Sequence, residues 1–192
     1  MRGIADADRI RRFMQALAAA ADAEGRVYLT GGATAVLIGW RPTTIDVDLK
    51  LVPEQDALLR AIPRLKESLQ INVELAAPDQ FIPPLPGWEA RSPLVAKEGR
   101  LAFHHYDFYA QTLAKIERGH RQDLEDSREM LRRGLVDPQR LLASYEAIEP
   151  QLYRYPAVDP ATFRRGVEEA IREAGLSDRD RSGGGRSAHE ER

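Results

Sequence analysis

Two aspartates one residue apart, Asp46 and Asp48, sit inside the alternating run Ile45-Asp46-Val47-Asp48-Leu49. In a strand, successive side chains point to opposite faces. Ile45, Val47 and Leu49 then share one face, and Asp46 and Asp48 project together from the other, roughly 7 Å apart at about 3.3 Å rise per residue. Paired carboxylates of this kind suit a hard divalent cation such as Mg²⁺ or Mn²⁺, commonly held by one or two carboxylates plus substrate phosphates. The matching chemistry is phosphoryl or nucleotidyl transfer, in which a two-metal site activates the attacking oxygen and steadies the leaving one. Standing alone, an Asp-x-Asp strand is also what two solvated acids look like.

A second feature sharpens the first. Gly31-Gly32 precedes Asp46 by thirteen intervening residues and opens a short apolar segment. A Gly-Gly turn lets backbone amides approach a phosphate closely, because no Cβ is in the way. A helix N-terminus behind it adds a dipole that favours the anion. Turn, short helix and acid strand together make one compact unit.

Further polar residues fall around this unit. Ile71–Leu75 is another alternating run, with Asn72 and Glu74 on its polar face. Glu74 would complete a carboxylate cluster beside Asp46 and Asp48. Asp79 is the alternative third acid, but it follows Pro78 in a loop, whereas Glu74 lies on the in-register face of a strand. A solvated strand glutamate is the plainer reading. Arg41 lies five residues before Asp46, at the expected mouth of the cleft. It suits bidentate phosphate contact or an ion pair with one of the two aspartates. Thr43 or Thr44 can hydrogen-bond near the phosphates. Lys115 and Arg118 are three apart and share a helix face, as do Asp123 and Asp126 on the next helix. A lysine here can neutralise a triphosphate as a point charge. The plain alternative is a set of surface ion pairs worth ~0–1 kcal/mol each. His104 and His105 point to opposite faces of a strand, a poor metal pair, and read as structural.

The elements that must position these residues follow from period and punctuation. Residues 6–24 read as an amphipathic helix ended by Gly25, with Ile10, Phe13, Met14, Leu17 and Ala21 on its apolar stripe. Strands are expected at Arg26–Thr30, Thr44–Leu51, Ile71–Leu75 and Arg100–Asp107. A short helix spans Ala33–Gly39, and a longer one spans Glu54–Leu69, broken or kinked at Pro63. Residues 78–93 carry five prolines with Phe81, Ile82, Leu85 and Trp88. This is an extended loop that packs onto the body, with a rim of the active site or a partner surface as the alternative. Helices then follow at Phe108–Arg118, Gln122–Arg133, Pro138–Ala147 and Pro160–Ala174, the last closed by Gly175. Residues 176–192 are polar and rich in Gly and Ser, and read as disordered.

The expected fold is therefore α/β (α+β): a small mixed sheet flanked by helices, followed by a C-terminal helical lobe. The expected division is a core at 1–110, a helical lobe at 111–175 packed on it, and the tail at 176–192. The chain has 192 residues, 43% of them hydrophobic, which suffices for one domain or a catalytic domain with a small lobe. A net charge of −2 means that no global basic field draws the chain to nucleic acid. With no cysteine, disulfides and thiolate metal sites are excluded. No run approaches the roughly 18 apolar residues of a membrane span, and no signal-like N-terminus is present. The expectation is a cytoplasmic protein without a membrane partner.

The combined pattern resembles the nucleotidyltransferase superfamily that includes DNA polymerase beta and the aminoglycoside nucleotidyltransferases. Its signature, G-[GS] followed roughly ten residues later by D-x-[DE] between apolar residues, is filled by Gly31, Gly32, Asp46 and Asp48. The chain is more closely similar to the minimal bacterial branch with the AbiEii-like and MenT-like toxins and related uncharacterised families. Their G-G-[TSA]-A start, Arg-x-Thr-x-Asp-x-Asp strand and helical K…R…D motif read here as Gly31-Gly32-Ala33, Arg41 to Asp48, and Lys115 and Arg118 followed by Asp123 and Asp126. The resemblance covers roughly residues 25–150. One departure is Ala33, where many relatives place Ser or Thr. Thr34 stands one residue on, so one phosphate-binding hydroxyl is lost while the metal acids remain.

What the resemblance implies is a nucleotidyltransferase that moves an NMP from an NTP to an acceptor hydroxyl, releasing pyrophosphate. It implies Asp46 and Asp48 as catalytic metal ligands and Glu74 as a third ligand or base. Gly31, Gly32, Arg41, Thr44 and Lys115 would hold the nucleotide, and Asp123 would orient Lys115 or contribute to the metal environment. It further implies the tRNA 3′ end as one acceptor, with protein hydroxyls and small molecules open, and a cognate antitoxin as a partner if the chain is a toxin. The competing reading is a nucleotide-binding or regulatory module without catalysis, because fold does not imply function.

Overall fold

The computed structural model describes residues 3–183, with side chains through residue 175. Helix α1 (Ala7–Ala19) leads into strand β1 (Gly25–Thr30), helix α2 (Gly31–Ile38), strand β2 (Asp46–Val52), helix α3 (Asp56–Ser68) and strand β3 (Asn72–Leu75). A 3₁₀ turn (Pro78–Gln80) and a short helix α4 (Trp88–Arg91) precede the hairpin of β4 (Leu94–Glu98) and β5 (Leu101–His105). Helices α5 (Phe108–Arg118), α6 (Arg121–Arg132), α7 (Pro138–Ile148) and α8 (Pro160–Gly183) complete the chain. The five strands form one mixed sheet in the order β3-β2-β1-β5-β4. The β1–β5 and β2–β3 pairs are parallel, and the β1–β2 and β4–β5 pairs antiparallel. The expected mixed sheet, flanking helices and C-terminal helical region are all present. Among the described residues, no helix is long and apolar enough to cross a membrane.

Strand alternation divides the molecule. Val27 and Leu29 of β1, Val47, Leu49 and Leu51 of β2, Val73 of β3, and Leu101 and Phe103 of β5 enter one core, with Ile10, Phe13 and Leu17 of α1 and Leu58 and Ile62 of α3. Tyr28 and Tyr106 enter the second core, with Ile82, Leu85, Leu113, Met130, Leu141, Tyr145 and Phe163. The polar residues of β2 and β3 alternate out of phase with the first core. They therefore face the side on which the C-terminal helices pack. The expected division at 110/111 falls inside α5, and the second core draws on Tyr28 and Ala77 from the N-terminal part.

Local departures from the sequence reading have physical causes. α1 stops at Ala19 rather than at residue 24. Asp22 and Glu24 would stand in a last turn, where acids oppose the negative end of the helix dipole. α3 runs unbroken through Pro63. Pro63 is exposed, so water can satisfy the carbonyl it leaves free. β4 follows the expected loop at 78–93, in residues for which no element was expected. Its signal was Gly99 in the two-residue connection to β5, with φ +52°, a hairpin turn position. α8 continues past Gly175 to Gly183, because one interior glycine costs only about 1 kcal/mol. This helix replaces the first part of the expected disordered tail. Residues 184–192 lie outside the described residues. Ile45 precedes β2 and is 72% exposed rather than on the apolar face.

Candidate active site

The acid wall is built by three strands. In the β2–β3 register, Asp46 stands beside Asn72 and Asp48 beside Glu74. Thr30 at the end of β1 is opposite Asp48, so the next residue, Gly31, begins α2 directly over that carboxylate. Gly31 has φ +57°, and a Cβ there would stand 2.7 Å from Asp48 Oδ2. A Cβ on Gly32 would overlap Thr44 Oγ1. Both glycines are thus required by the seating of the first turn of α2 on the acid strand. Thr44 Oγ1 donates to the Asp46 carbonyl at 2.9 Å. Asn72 Nδ2 donates to Asp46 Oδ1 and, at 3.3 Å, to Glu74 Oε1.

The facing wall comes from α5 and α6. Lys115 is buried, with Nζ 2.6 Å from Asp126 Oδ2 and 3.2 Å from Asp123 Oδ1. Asp126 is 1% exposed. It also accepts from Trp40 Nε1 at 3.0 Å and from Arg41 Nε at 2.9 Å, and a second Arg41 nitrogen reaches its Oδ2. Arg118 Nε lies 3.4 Å from Asp123 Oδ2. Arg41 was expected to contact phosphate or pair with Asp46 or Asp48. Its pairing with Asp126 instead pins the 39–45 connection to α6. A buried carboxylate favours the bidentate geometry that a guanidinium fork supplies.

Between the walls lies a cleft with two lobes. One, about 460 Å³, is lined by Asp46, Asp48, Glu74, Phe81, Gln111 and Lys115 among others. The other, about 550 Å³, is lined by Gly32, Arg41, Thr44 and Asp123. Gly31, Asp46, Asp48, Lys115, Arg118 and His120 border both. The strand acids therefore form the ridge between two lobes. Gly31, Gly32, Arg41, Thr44, Asp46, Asp48, Glu74, Lys115 and Asp123 all lie on this cleft, and Asp126 lines neither lobe. Asp79 does not line it, being held 2.6 Å from Lys50 Nζ. Of the two candidates for third acid, Glu74 is the one brought to the site. His104 and His105 lie off it. His105 Nδ1 is 3.1 Å from Thr34 Oγ1, and burial lowers its pKa to about 4. His104 Nδ1 is 3.0 Å from the Ser92 carbonyl. Phe81 rims the cleft, while Ile82 and Leu85 of the same loop anchor it in the second core.

Charge is unevenly distributed across the cleft. The Asp48 pKa is raised from 3.8 to about 6, first by burial and then by repulsion from Asp46 and Glu74, with Arg118 and Lys115 opposing. A carboxylate held in this way is stabilised by a nearby cation. Among the described residues, no three or more His, Asp or Glu side chains converge as a ready-made metal cage. The arrangement of two aspartates with all-oxygen donors fits a hard cation that completes its shell with phosphate and water. Glu74 stands adjacent without closing a three-ligand set.

Two contributors were missed from sequence. Gln111, 1% exposed, accepts from the Gly31 N–H at 3.0 Å and donates to the Tyr106 carbonyl at 2.7 Å. The Gly31 amide that was expected to meet phosphate is therefore taken by a side chain. Its place four residues before Lys115 on one helix face was the available signal. His120 borders both lobes directly after the Gly119 cap of α5; no pattern marked it.

No family model matches the chain, and comparison with curated proteins and with solved structures gives no match.

Proposed function

We propose that the protein is a metal-dependent nucleotidyltransferase that moves an NMP from an NTP to an acceptor hydroxyl and releases pyrophosphate. The observation that carries this reading is the ridge of Asp46 and Asp48 between two cleft lobes, faced by Lys115 and Arg118. One lobe has room for the donor and the other for the acceptor.

Asp46 and Asp48 would hold Mg²⁺ or Mn²⁺, which when bound supplies Lewis acidity toward the phosphate oxygens. Glu74 takes the proton of the acceptor hydroxyl as general base. The freed oxygen forms a bond to the α-phosphorus, and the bond from that phosphorus to the β-phosphate oxygen breaks. Pyrophosphate leaves carrying the electron pair. Lys115 and Arg118 offset the charge that grows on it. The first turn of α2 presents the Gly32 amide and the positive end of the helix to the phosphates. Asp126 and Asp123 fix Lys115 in place.

The acceptor follows from the resemblance alone: an RNA 3′ end such as that of tRNA, a protein hydroxyl or a small molecule. A toxin role with a cognate antitoxin, and a cytoplasmic location near the NTP pool, belong to the same reading. A second reading is a nucleotide-binding or regulatory module without turnover. It is favoured by one feature, the self-satisfied phosphate donors: Gly31 N–H bound by Gln111 and Lys115 paired twice.

The test is incubation of the purified protein with each α-phosphate-radiolabelled NTP, Mg²⁺ and total bacterial RNA, with Asp48→Ala as control. Label in a tRNA-sized band that the variant loses is the expected result. Label on protein redirects the acceptor. Binding of NTP with no label anywhere puts the second reading first.

A further inference from the structure

Phe81 is the part of the cleft that phosphate and metal chemistry leave unexplained. It is 36% exposed and lines the lobe that holds Glu74, Asp46 and Asp48. Among the described residues, the other exposed Phe, Tyr or Trp side chain, Tyr153, lies on neither lobe, while the exposed imidazole of His120 borders both. The Arg118 guanidinium already lies over the ring, so a planar ligand here would extend an existing cation–π contact.

The ring is also held in place. The Phe81 N–H donates to the Pro78 carbonyl at 3.0 Å, closing the 3₁₀ turn. The next residue, Ile82, is 1% exposed, and Leu85 2%, so the loop is anchored just beyond the ring. Across the cleft, the Arg118 guanidinium carbon lies 5.2 Å from the ring centroid, above its face. Arg118 in turn is tethered to Asp123. Ala76, Ala77 and Ala114 contribute small apolar walls to the same lobe. A fixed phenyl face, a planar guanidinium and a low apolar wall form the arrangement on which a nucleobase stacks.

We propose that Phe81, with Arg118, is the stacking platform for a nucleobase in this cleft. The inference rests on the nucleotide reading above. The base belongs either to the NTP or to a nucleic-acid acceptor, and both present the same planar ring. Phe81 is a binding residue; it takes no part in proton or phosphoryl transfer.

The test compares wild type, Phe81→Leu and Phe81→Trp as full-length proteins. Leucine keeps apolar bulk and removes the π face, and tryptophan restores it. Equilibrium binding is measured for each NTP and for inorganic tripolyphosphate, which has no base. The RNA concentration giving half-maximal labelling is measured in parallel. If the NTP base stacks, Phe81→Leu weakens NTP binding by about 10-fold, leaves tripolyphosphate unchanged, and Phe81→Trp recovers it. If the acceptor base stacks, NTP binding is unchanged and half-maximal RNA labelling shifts by about 10-fold in the same variant. Unchanged values in both arms overturn the proposal. Equal weakening of NTP and tripolyphosphate also overturns it, because the loop would then act through the phosphates. Wild type that binds no NTP and labels no RNA removes the nucleotide reading, and this inference with it. Labelling that depends on Asp48 but not on Phe81 removes this inference alone.

Discussion

On the sheet wall of the cleft, Asp46, Asp48 and Glu74 stand together; Asn72 donates to Asp46 and Glu74, and burial, then repulsion from those two acids, raises the Asp48 pKa to about 6. On the helical wall, Asp126 is met by Trp40, Arg41 and Lys115, and Lys115 has Asp123 as a second partner. Asp46 and Asp48 are half-buried and Glu74 is exposed, whereas Lys115, Asp123 and Asp126 are buried and pair with one another. Buried charge without a partner is costly unless a ligand supplies one. The sheet wall thus carries negative charge without an ion-pair partner among the described residues, and the helical wall holds Lys115 between Asp123 and Asp126. Substitutions that exchange these characters test the difference.

The largest effect is expected at the acid ridge. Asp46→Asn keeps the side-chain shape and its contact with Asn72 in reach, yet removes a charged oxygen donor. Transfer should fall on the order of 10³-fold, measured by single-turnover labelling, with the circular dichroism spectrum unchanged. Full activity in this variant would falsify the mechanism.

Next comes the hub of the helical wall. Asp126→Ala leaves Lys115 and Arg41 without their shared acceptor. Removing one partner of a buried pair typically costs about 3–5 kcal/mol. Because Asp123 still pairs Lys115 and Arg41 is partly exposed, about 3 kcal/mol is expected in urea denaturation. A loss under 1 kcal/mol would mean that the two walls do not differ as described.

A smaller effect of opposite sign is expected for stability at Asp48. Its folded pKa is raised, so the protonated form favours the folded state. That contribution is full below about 3.8 and is lost as pH rises through about 6. At pH 7 the ionised carboxylate therefore weakens the metal-free protein. Asp48→Asn should stabilise it by about 1–2 kcal/mol, less than the whole shift because a partly hydrated group is screened. Added Mg²⁺ should raise the Tm of wild type and not of the variant. A variant less stable than wild type at pH 7 would show that the ridge is not electrostatically frustrated.

These contrasts track what could be read from the chain. The acid ridge was legible in part because a period of two places Asp46 and Asp48 on one face of β2, and Asn72 and Glu74 on one face of β3; the β2–β3 register is what brings the two pairs together. The apolar stripe of α1 was legible for the same kind of reason at a period of 3.6. The Arg41–Asp126 pair was not, because the partners are 85 residues apart and no local period links a loop to a distant helix. Gln111 escaped for a related reason. Its amide caps Gly31 across 80 residues, and a glutamine on a helix has no signature of its own. β4 was overlooked because an edge strand with one covered face alternates weakly.

The smallest effect separates the two acids that sequence left side by side as third carboxylates. Asp79 pairs with Lys50 at 2.6 Å, with side chains 20% and 32% exposed, and its partner is on β2 rather than in the cleft. Asp79→Asn should cost at most about 1 kcal/mol of stability, in the range of a partly solvated pair, and should leave transfer within about twofold. Glu74→Gln is its counterpart, because Glu74 lines the cleft and stands in register with Asp48. Loss of a general base should lower the rate by about 10²-fold, the low end of the usual range. If the two variants exchange these behaviours, the proton acceptor belongs to the loop after β3 and the register of the β2–β3 pair has no catalytic meaning.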